Sequence, residues 1–525
     1  MPTLHSCSCT SARRTVNMSR ISAAVYALLL YLSVTETVLL NNQRNVLILL
    51  ADDAGLELGA YGNKICQTPH LDALARRSLV FNDAFTSVSS CSPSRAALLT
   101  GAPSHQSGMY GLHHGVHHFN SFDNVTSLPA LLRKRGVYTG IIGKKHVGPA
   151  GVYRFDYEQT EENNHINQVG RNITHMKLLT REFLQRANRD NKPFFLYVGF
   201  HDPHRCGHSA PELGAFCERF GSGQPGAGRI PDWTPWYYQW DEIELPYYIQ
   251  DTEAARRDVA AQYTTISRLD QGVGLVLAEL EAAGRARDTL VLYTSDNGPP
   301  FPAGRTNGYE PGVRSPLLIA SPLEGARRNE VSSALVSLLD VAPTVLDWFG
   351  ALARPDSNDV WPDDAPKSLL PILEKEPAPS DEAVFFSTTH HEVSMYFPSR
   401  GVRTRRYKLL HNLHYAMPFP IDQDLYVSPT FQDILNRTRG KQPLPWYKTL
   451  KQYYYRPQWE LFDLRADPAE TNNLHGKPSL AGTEAALRAR LERWQRATRD
   501  PWRCAPAAVL EGDACRSLDN GLAHY

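Results

Sequence analysis

Four apolar runs, each closed by charged or amide side chains, restrict this chain more than any other feature. Asn45–Ala51 (NVLILLA) ends in Asp52-Asp53, and Val137–Ile142 (VYTGII) ends in Gly143-Lys144-Lys145-His146. Pro193–Phe200 (PFFLYVGF) ends in His201-Asp202-Pro203-His204, and Thr289–Thr294 (TLVLYT) in Ser295-Asp296-Asn297-Gly298. Short runs so rich in β-branched and aromatic residues read as strands buried on both faces. Helical patterns, clearest at Ala254–Ala283 and Thr483–Thr498, alternate with apolar runs, so the expected fold is α/β with a mostly parallel mixed sheet flanked by helices. In open α/β sheets the ligand site forms where carboxyl ends of strands converge, so four such ends predict one site.

With 525 residues the chain has room for two domains. A charged, proline-bearing stretch near Leu373–Ser380 places the boundary: a catalytic domain over residues 39–376 and a smaller α+β domain over 377–525. Short apolar runs at Ala383–Phe386 and Tyr407–Leu410 give the second domain an antiparallel sheet. At the N-terminus, Arg13, Arg14 and Arg20 precede the apolar run Ile21–Val34, the pattern of a signal peptide over residues 1–38. Met18 lies just before that run, so residues 1–17 read as an upstream extension. Export to a soluble state without a membrane anchor is expected. Sequons at Asn124, Asn172 and Asn436 agree with glycosylation in the secretory pathway. Lys plus Arg (55) equals Asp plus Glu (55), so no global field draws nucleic acid, and an anionic substrate would need local cations.

Of eight cysteines, Cys7 and Cys9 leave with the leader. The simplest pairing of the others joins Cys206 to Cys217 and Cys504 to Cys515. Cys66 and Cys91 remain, and a bridge between them is the plain alternative for Cys91. The segment from Cys91 to Gly101 (CSPSRAALLTG) argues otherwise. Pro93 suits the first turn of a helix that Ala-Ala-Leu-Leu continues, which puts Cys91 at a helix N-terminus. Free N–H groups there favour an anion, and Arg95 lies one turn away.

This eleven-residue string resembles the signature of the sulfatases, in which the cysteine of C-x-P-x-R is oxidised to formylglycine by a formylglycine-generating enzyme. Asp52, Asp53, Asp296 and Asn297 offer only hard oxygen ligands, which select Ca²⁺ or Mg²⁺ over zinc. The resemblance implies one Ca²⁺ on these four residues and on the formylglycine at Cys91. It also implies that Lys144 binds sulfate oxygens, that His146 orients or deprotonates the nucleophile, and that His204 protonates the leaving group. The family's usual lysine after Asp-Asn-Gly is missing, and Arg305 is the expected substitute, with Arg95 as a further clamp. The histidine cluster His113, His114, His117 and His118 reads as loop or surface, with some members able to line the substrate pocket. Asp202, His390, His391 and Glu392 are candidate sugar contacts.

Strings that generic sulfatase chemistry does not explain, among them HDPHRCGHS at 201–209 and MPFPIDQDLYVSPTFQD at 417–433, resemble the sulfamidase branch of that family. This branch acts in the lysosome, as a homodimer, on the N-linked sulfate of terminal glucosamine in heparan sulfate. An O-ester sulfatase of glycosaminoglycans is the nearest rival. A phosphatase of the same superfold would need Ser or Thr at 91 and histidine ligands. An inactive carbohydrate-binding homologue would be expected to have lost Cys91, Arg95, Lys144 or His204.

Overall fold

The computed structural model describes residues 44–164, 169–206, 213–352 and 364–517, so the expected signal peptide lies outside the described residues. Eight strands form the main sheet in the order β4-β3-β5-β1-β6-β7-β2-β8. They are β1 (Asn45–Ala51), β2 (Leu79–Phe85), β3 (Tyr138–Gly143), β4 (Tyr157–Thr160), β5 (Phe194–Gly199), β6 (Thr289–Ser295), β7 (Leu317–Ala320) and β8 (Glu330–Ser337). Only β7 runs against the others, between β6 and β2. The four runs picked out in the sequence are β1, β3, β5 and β6, adjacent and parallel, with Ile48 paired to both Tyr197 and Leu292.

Every residue of β1 is buried, and pleating sends alternate side chains to opposite faces. Leu47, Leu49 and Ala51 join one core cluster, and Val46, Ile48 and Leu50 join another. The first face is covered by the 30-residue helix Glu253–Ala282 and by Ile173–Arg189, which supply Val259, Ile266, Val273, Met176 and Phe183. The second is covered by the helices Cys91–Thr100 and Val341–Trp348, through Leu98, Leu99, Val345 and Trp348. Each Leu, Ile or Val so buried contributes roughly 1.5–3 kcal/mol relative to exposure, so this sandwich holds the strand ends firmly.

A second, antiparallel sheet has the order β12-β11-β10-β9, from β9 (Ala383–Thr388), β10 (Ser399–Thr404), β11 (Tyr407–Asn412) and β12 (Trp459–Asp463). Phe385, Val402, Leu409 and Leu461 pack under the helix Ala481–Ala497. Val384, Phe386, Leu410 and Phe462 instead join the core cluster that holds Leu47 and Leu49. The smaller sheet is therefore packed directly against the larger layer.

Cys206–Cys217 and Cys504–Cys515 are disulfides, while Cys66 and Cys91 are free and buried, so the alternative Cys66–Cys91 bridge does not form. Asn124 and Asn436 are exposed. Asn172 caps the helix Ile173–Arg189 with its side-chain oxygen, which leaves the amide nitrogen for a glycan. No described helix is long and apolar enough to cross a membrane.

Candidate active site

The carboxyl ends of β3 and β5, with Arg305 from the loop after β6, open into one cavity of about 460 Å³. Cys91, Lys144, His146, His201, His204 and Arg305 line it, together with His114, His117, Glu161, Glu162, Arg171, His391, Glu392, Gln423 and Asp424. Cys91 is the first residue of its helix, after Ser90 in extended conformation, and is 1% exposed. Burial pushes its thiol well above the ordinary value; Lys144 opposes the shift, and Asp53, Asp52 and Asp296 add to it. A thiol so placed stays protonated, unlike the activated thiolates of cysteine hydrolases.

Asp52 and Asp53 follow β1 directly, and Asp296 and Asn297 follow β6. All four are fully buried. Asp53 Oδ1 lies 3.7 Å from Cys91 Sγ and accepts from Asn297 Nδ2 at 2.7 Å. Asp296 Oδ1 accepts from the backbone N–H groups of Asp53 (3.1 Å) and Asn297 (2.9 Å), so the two strand ends lock together. Asn297 Oδ1 is buried with no hydrogen-bond partner. Ligand atoms of Asp52, Cys91 and Asp296 lie within 4.8 Å of one another, as do those of Asp53, Cys91 and His204. Burial raises Asp296 to about 7 and raises Asp53 also, partly offset by Arg95 and Arg305 respectively. Burial acts the same way on Asp52, but Lys144 and Arg95 outweigh it and hold that carboxyl well below its usual range. Three buried carboxylates and an unpartnered amide oxygen are a donor set that fits a hard divalent cation.

Arg95 departs from the expected role. It is fully buried, with Nε on Asp296 Oδ2 (2.8 Å), Nη2 on Asp52 Oδ1 (3.1 Å) and Nη1 on the Lys144 carbonyl (2.8 Å). Its guanidinium ties three strand ends together and does not line the cavity. Lys144 pairs with Asp52 and lines the cavity, whereas Lys145 turns away to Glu158 at 2.9 Å. Gly143 enforces this geometry: its φ is +87°, and a Cβ there would stand 2.1 Å from the Gly199 carbonyl oxygen. His146 Nε2 pairs with His114 Nδ1, while His146 Nδ1 has no partner. Burial, then Lys144 and His114, depress the proton affinity of His146 and favour its neutral form.

His204 Nδ1 meets the Arg205 carbonyl at 2.7 Å, which places the proton on Nδ1 and turns Nε2 toward the cavity. Nε2 lies 2.8 Å from Arg305 Nη1 and 3.6 Å from Asp53 Oδ2. Burial and the neighbouring Lys144 and Arg305 cations depress its pKa, against Asp52. His201 instead pairs with Glu161 at 2.9 Å.

Asp202 and His390 do not face the cavity. Asp202 is 1% exposed and paired with Arg171 and Arg268, because a carboxylate buried beside two guanidiniums is held as an internal counter-ion. His390 packs its ring between Phe119 and Tyr396. His391 and Glu392 do line the cavity, and His391 Nδ1 also pairs with Ser90 Oγ at 2.8 Å. The histidine-rich run gave the signal for His114 and His117, and Gln423 and Asp424 lie in the string at 417–433; Arg171 and Glu161 carry no local pattern that marks them.

The Sulfatase family model matches residues 44–351. The chain is 60% identical over 486 residues to human N-sulphoglucosamine sulphohydrolase, covering 91% of this chain and 96% of that protein. It is 27% identical to human arylsulfatase A, over 82% and 83% of the two chains. A protein solved with its substrate D-glucosamine-2-N,6-O-disulfate superposes with a TM-score of 0.61 at 22% identity, over 87% of this chain and 98% of the other. The site at the strand ends thus sits in a hydrolase fold with known relatives, and the chain belongs to the sulfatase family.

Proposed function

We propose that this protein is a lysosomal sulfamidase that hydrolyses the N-linked sulfate of terminal N-sulfoglucosamine during heparan sulfate degradation. One observation carries the reading: a buried, protonated Cys91 opens a helix amid four buried oxygen donors, with cations and two histidines on the open side. The 60% identity to the human sulphohydrolase supports the choice of bond.

Asp52, Asp53, Asp296 and Asn297 would hold Ca²⁺, which supplies charge to the nucleophile's oxygen and to the sulfuryl group. Formylglycine made from Cys91 would supply a hydrated aldehyde, with one hydroxyl to attack sulfur and a second to release sulfate. Since Cys91 is 1% exposed in the folded chain, the modifying enzyme must meet it before folding is complete. Lys144 and Arg305 face the cavity as cations for the sulfuryl oxygens. The negative charge of a bound sulfuryl group would raise the proton affinity of His204, so that Nε2 takes up a proton from solvent and passes it to the departing nitrogen, and neutral His146 accepts one when sulfate leaves. Arg95 fixes the carboxylates and the helix start. Homodimer formation belongs to the same reading.

The test offers purified protein N-sulfoglucosamine and glucosamine 6-sulfate at mildly acidic pH. Sulfate is expected faster from the N-linked compound; faster release from the O-linked one would leave a sulfatase but refute the sulfamidase. Mass analysis of the Cys91 peptide is expected to show formylglycine.

A further inference from the structure

The segment 417–433 contains none of the catalytic motifs, yet its first carboxylates reach the active site. Asp422 is 1% exposed, and its Oδ1 accepts from Arg305 Nη2 at 2.5 Å. The same oxygen accepts from the Leu425 N–H at 3.1 Å, so Asp422 is the N-cap of the helix Gln423–Val427 and its carboxylate is fixed by backbone. On the other edge of the guanidinium, Arg305 Nη1 donates to Asp53 Oδ2 at 2.7 Å and lies 2.8 Å from His204 Nε2.

Arg305 stands in an irregular loop after β6, where its neighbour Thr306 has φ +73°. An arginine side chain carries considerable rotamer entropy, so a loop-borne guanidinium takes its orientation from its partners. Asp53 Oδ1 is already engaged by Asn297, and Asp53 holds the Arg305 side chain at one nitrogen only. Asp422 supplies the second point at 2.5 Å, with Asp424 Oδ2 at a longer 3.3 Å from the same Nη2, and two points define a plane. We infer that Asp422 is the positioning residue for Arg305, holding its guanidinium so that Nη1 is presented to His204 and the cavity. This rests on the reading of Arg305 as an anion clamp. The stretch of chain between β11 and β12 thereby reaches a cation of a site whose nucleophile and carboxylates follow strands of the main sheet.

The competing account is that Asp422 merely ties this segment down. A double-mutant cycle on Asp422→Asn and Arg305→Ala separates the two. Asn keeps an N-cap oxygen and the side-chain shape but loses the charge, so the fold should persist. Loss of Arg305 should lower kcat by roughly 10²–10³, the usual scale for one anion-holding donor. Asp422→Asn should lower kcat by about tenfold or more, with a smaller change in KM and a nearly unchanged melting temperature. The double variant should be no slower than Arg305→Ala alone, because a positioning residue has no effect once its client is gone. Multiplying losses in the double variant, or an Asp422→Asn enzyme with unchanged kcat, would overturn the inference. Should the Asn variant fail to fold, Asp422→Ser, which also caps, carries the same cycle. The cycle is run on whichever monosulfated glucosamine the wild type cleaves, so a wrong substrate assignment does not decide it.

Discussion

At the residue scale, the site separates groups that hold from groups that act. Arg95 is spent on Asp296, Asp52 and a carbonyl, and Asp202 on Arg171 and Arg268. His204 is different: its Nδ1 is fixed by a carbonyl and its Nε2 looks into the cavity beside Arg305. His204→Ala is expected to lower kcat by roughly 10²–10⁴, the range for loss of a general acid, with a smaller effect on KM. Steady-state kinetics on N-sulfoglucosamine check this, and a fall confined to KM would make the residue a binding group only.

At the element scale, long-range side chains set helix starts that local sequence leaves open. Thr68, at the N-cap of the helix Pro69–Arg76, makes no side-chain cap bond. Asp270, from the middle of the 30-residue helix, accepts instead from the N–H groups of Leu71 (2.7 Å) and His70 (3.2 Å). Burial raises Asp270 to about 7, against these two hydrogen bonds. A carboxyl whose folded pKa lies above its unfolded value binds an extra proton on folding. Its stabilisation is complete below about pH 4 and is lost as pH rises through 7. Between pH 7 and pH 5 the gain is roughly 2 kcal/mol. Burial also raises Asp340, to about 6, so it acts with the same sign. Asp270→Asn should therefore lose this gain, so its melting temperature should fall further below that of the wild type at pH 5 than at pH 7; a difference independent of pH would contradict this.

At the scale of the whole molecule, the proposed metal joins distant parts of the chain. Asp52 and Asp53 are more than 240 positions from Asp296 and Asn297, yet all four are buried together beside Cys91. Withdrawing a cation from such a cluster leaves carboxylates facing one another in a dry interior. Chelated protein is expected to melt at lower temperature, and calcium should restore it with the concentration dependence of a bound ligand, about 2.7 kcal/mol at a hundredfold excess over Kd. Calorimetry with and without a chelator measures this, and indifference to calcium would remove the metal from the site.

The chain's own order determined the strands, because a buried parallel strand must be a continuous apolar run and its polar end must follow at once. Thus Asn45–Ala51 matched β1 residue for residue, and Asp52, Lys144, His204 and Asp296 could be placed at one edge. The string from Cys91 to Gly101 likewise fixed the nucleophile at a helix start. Which charged groups face the cavity was not legible, because direction depends on partners far away in the chain. Arg95 looked like an anion clamp until Asp52 and Asp296 took its guanidinium, and Asp202 like a sugar contact until Arg268 did the same. His114 and His117 reach the pocket, and Asp422 reaches Arg305 across 117 positions, through packing of the second sheet against the first. Sequence periodicity encodes burial and local ends; the pairing of buried charges is decided only when tertiary packing brings opposite charges from distant segments within reach.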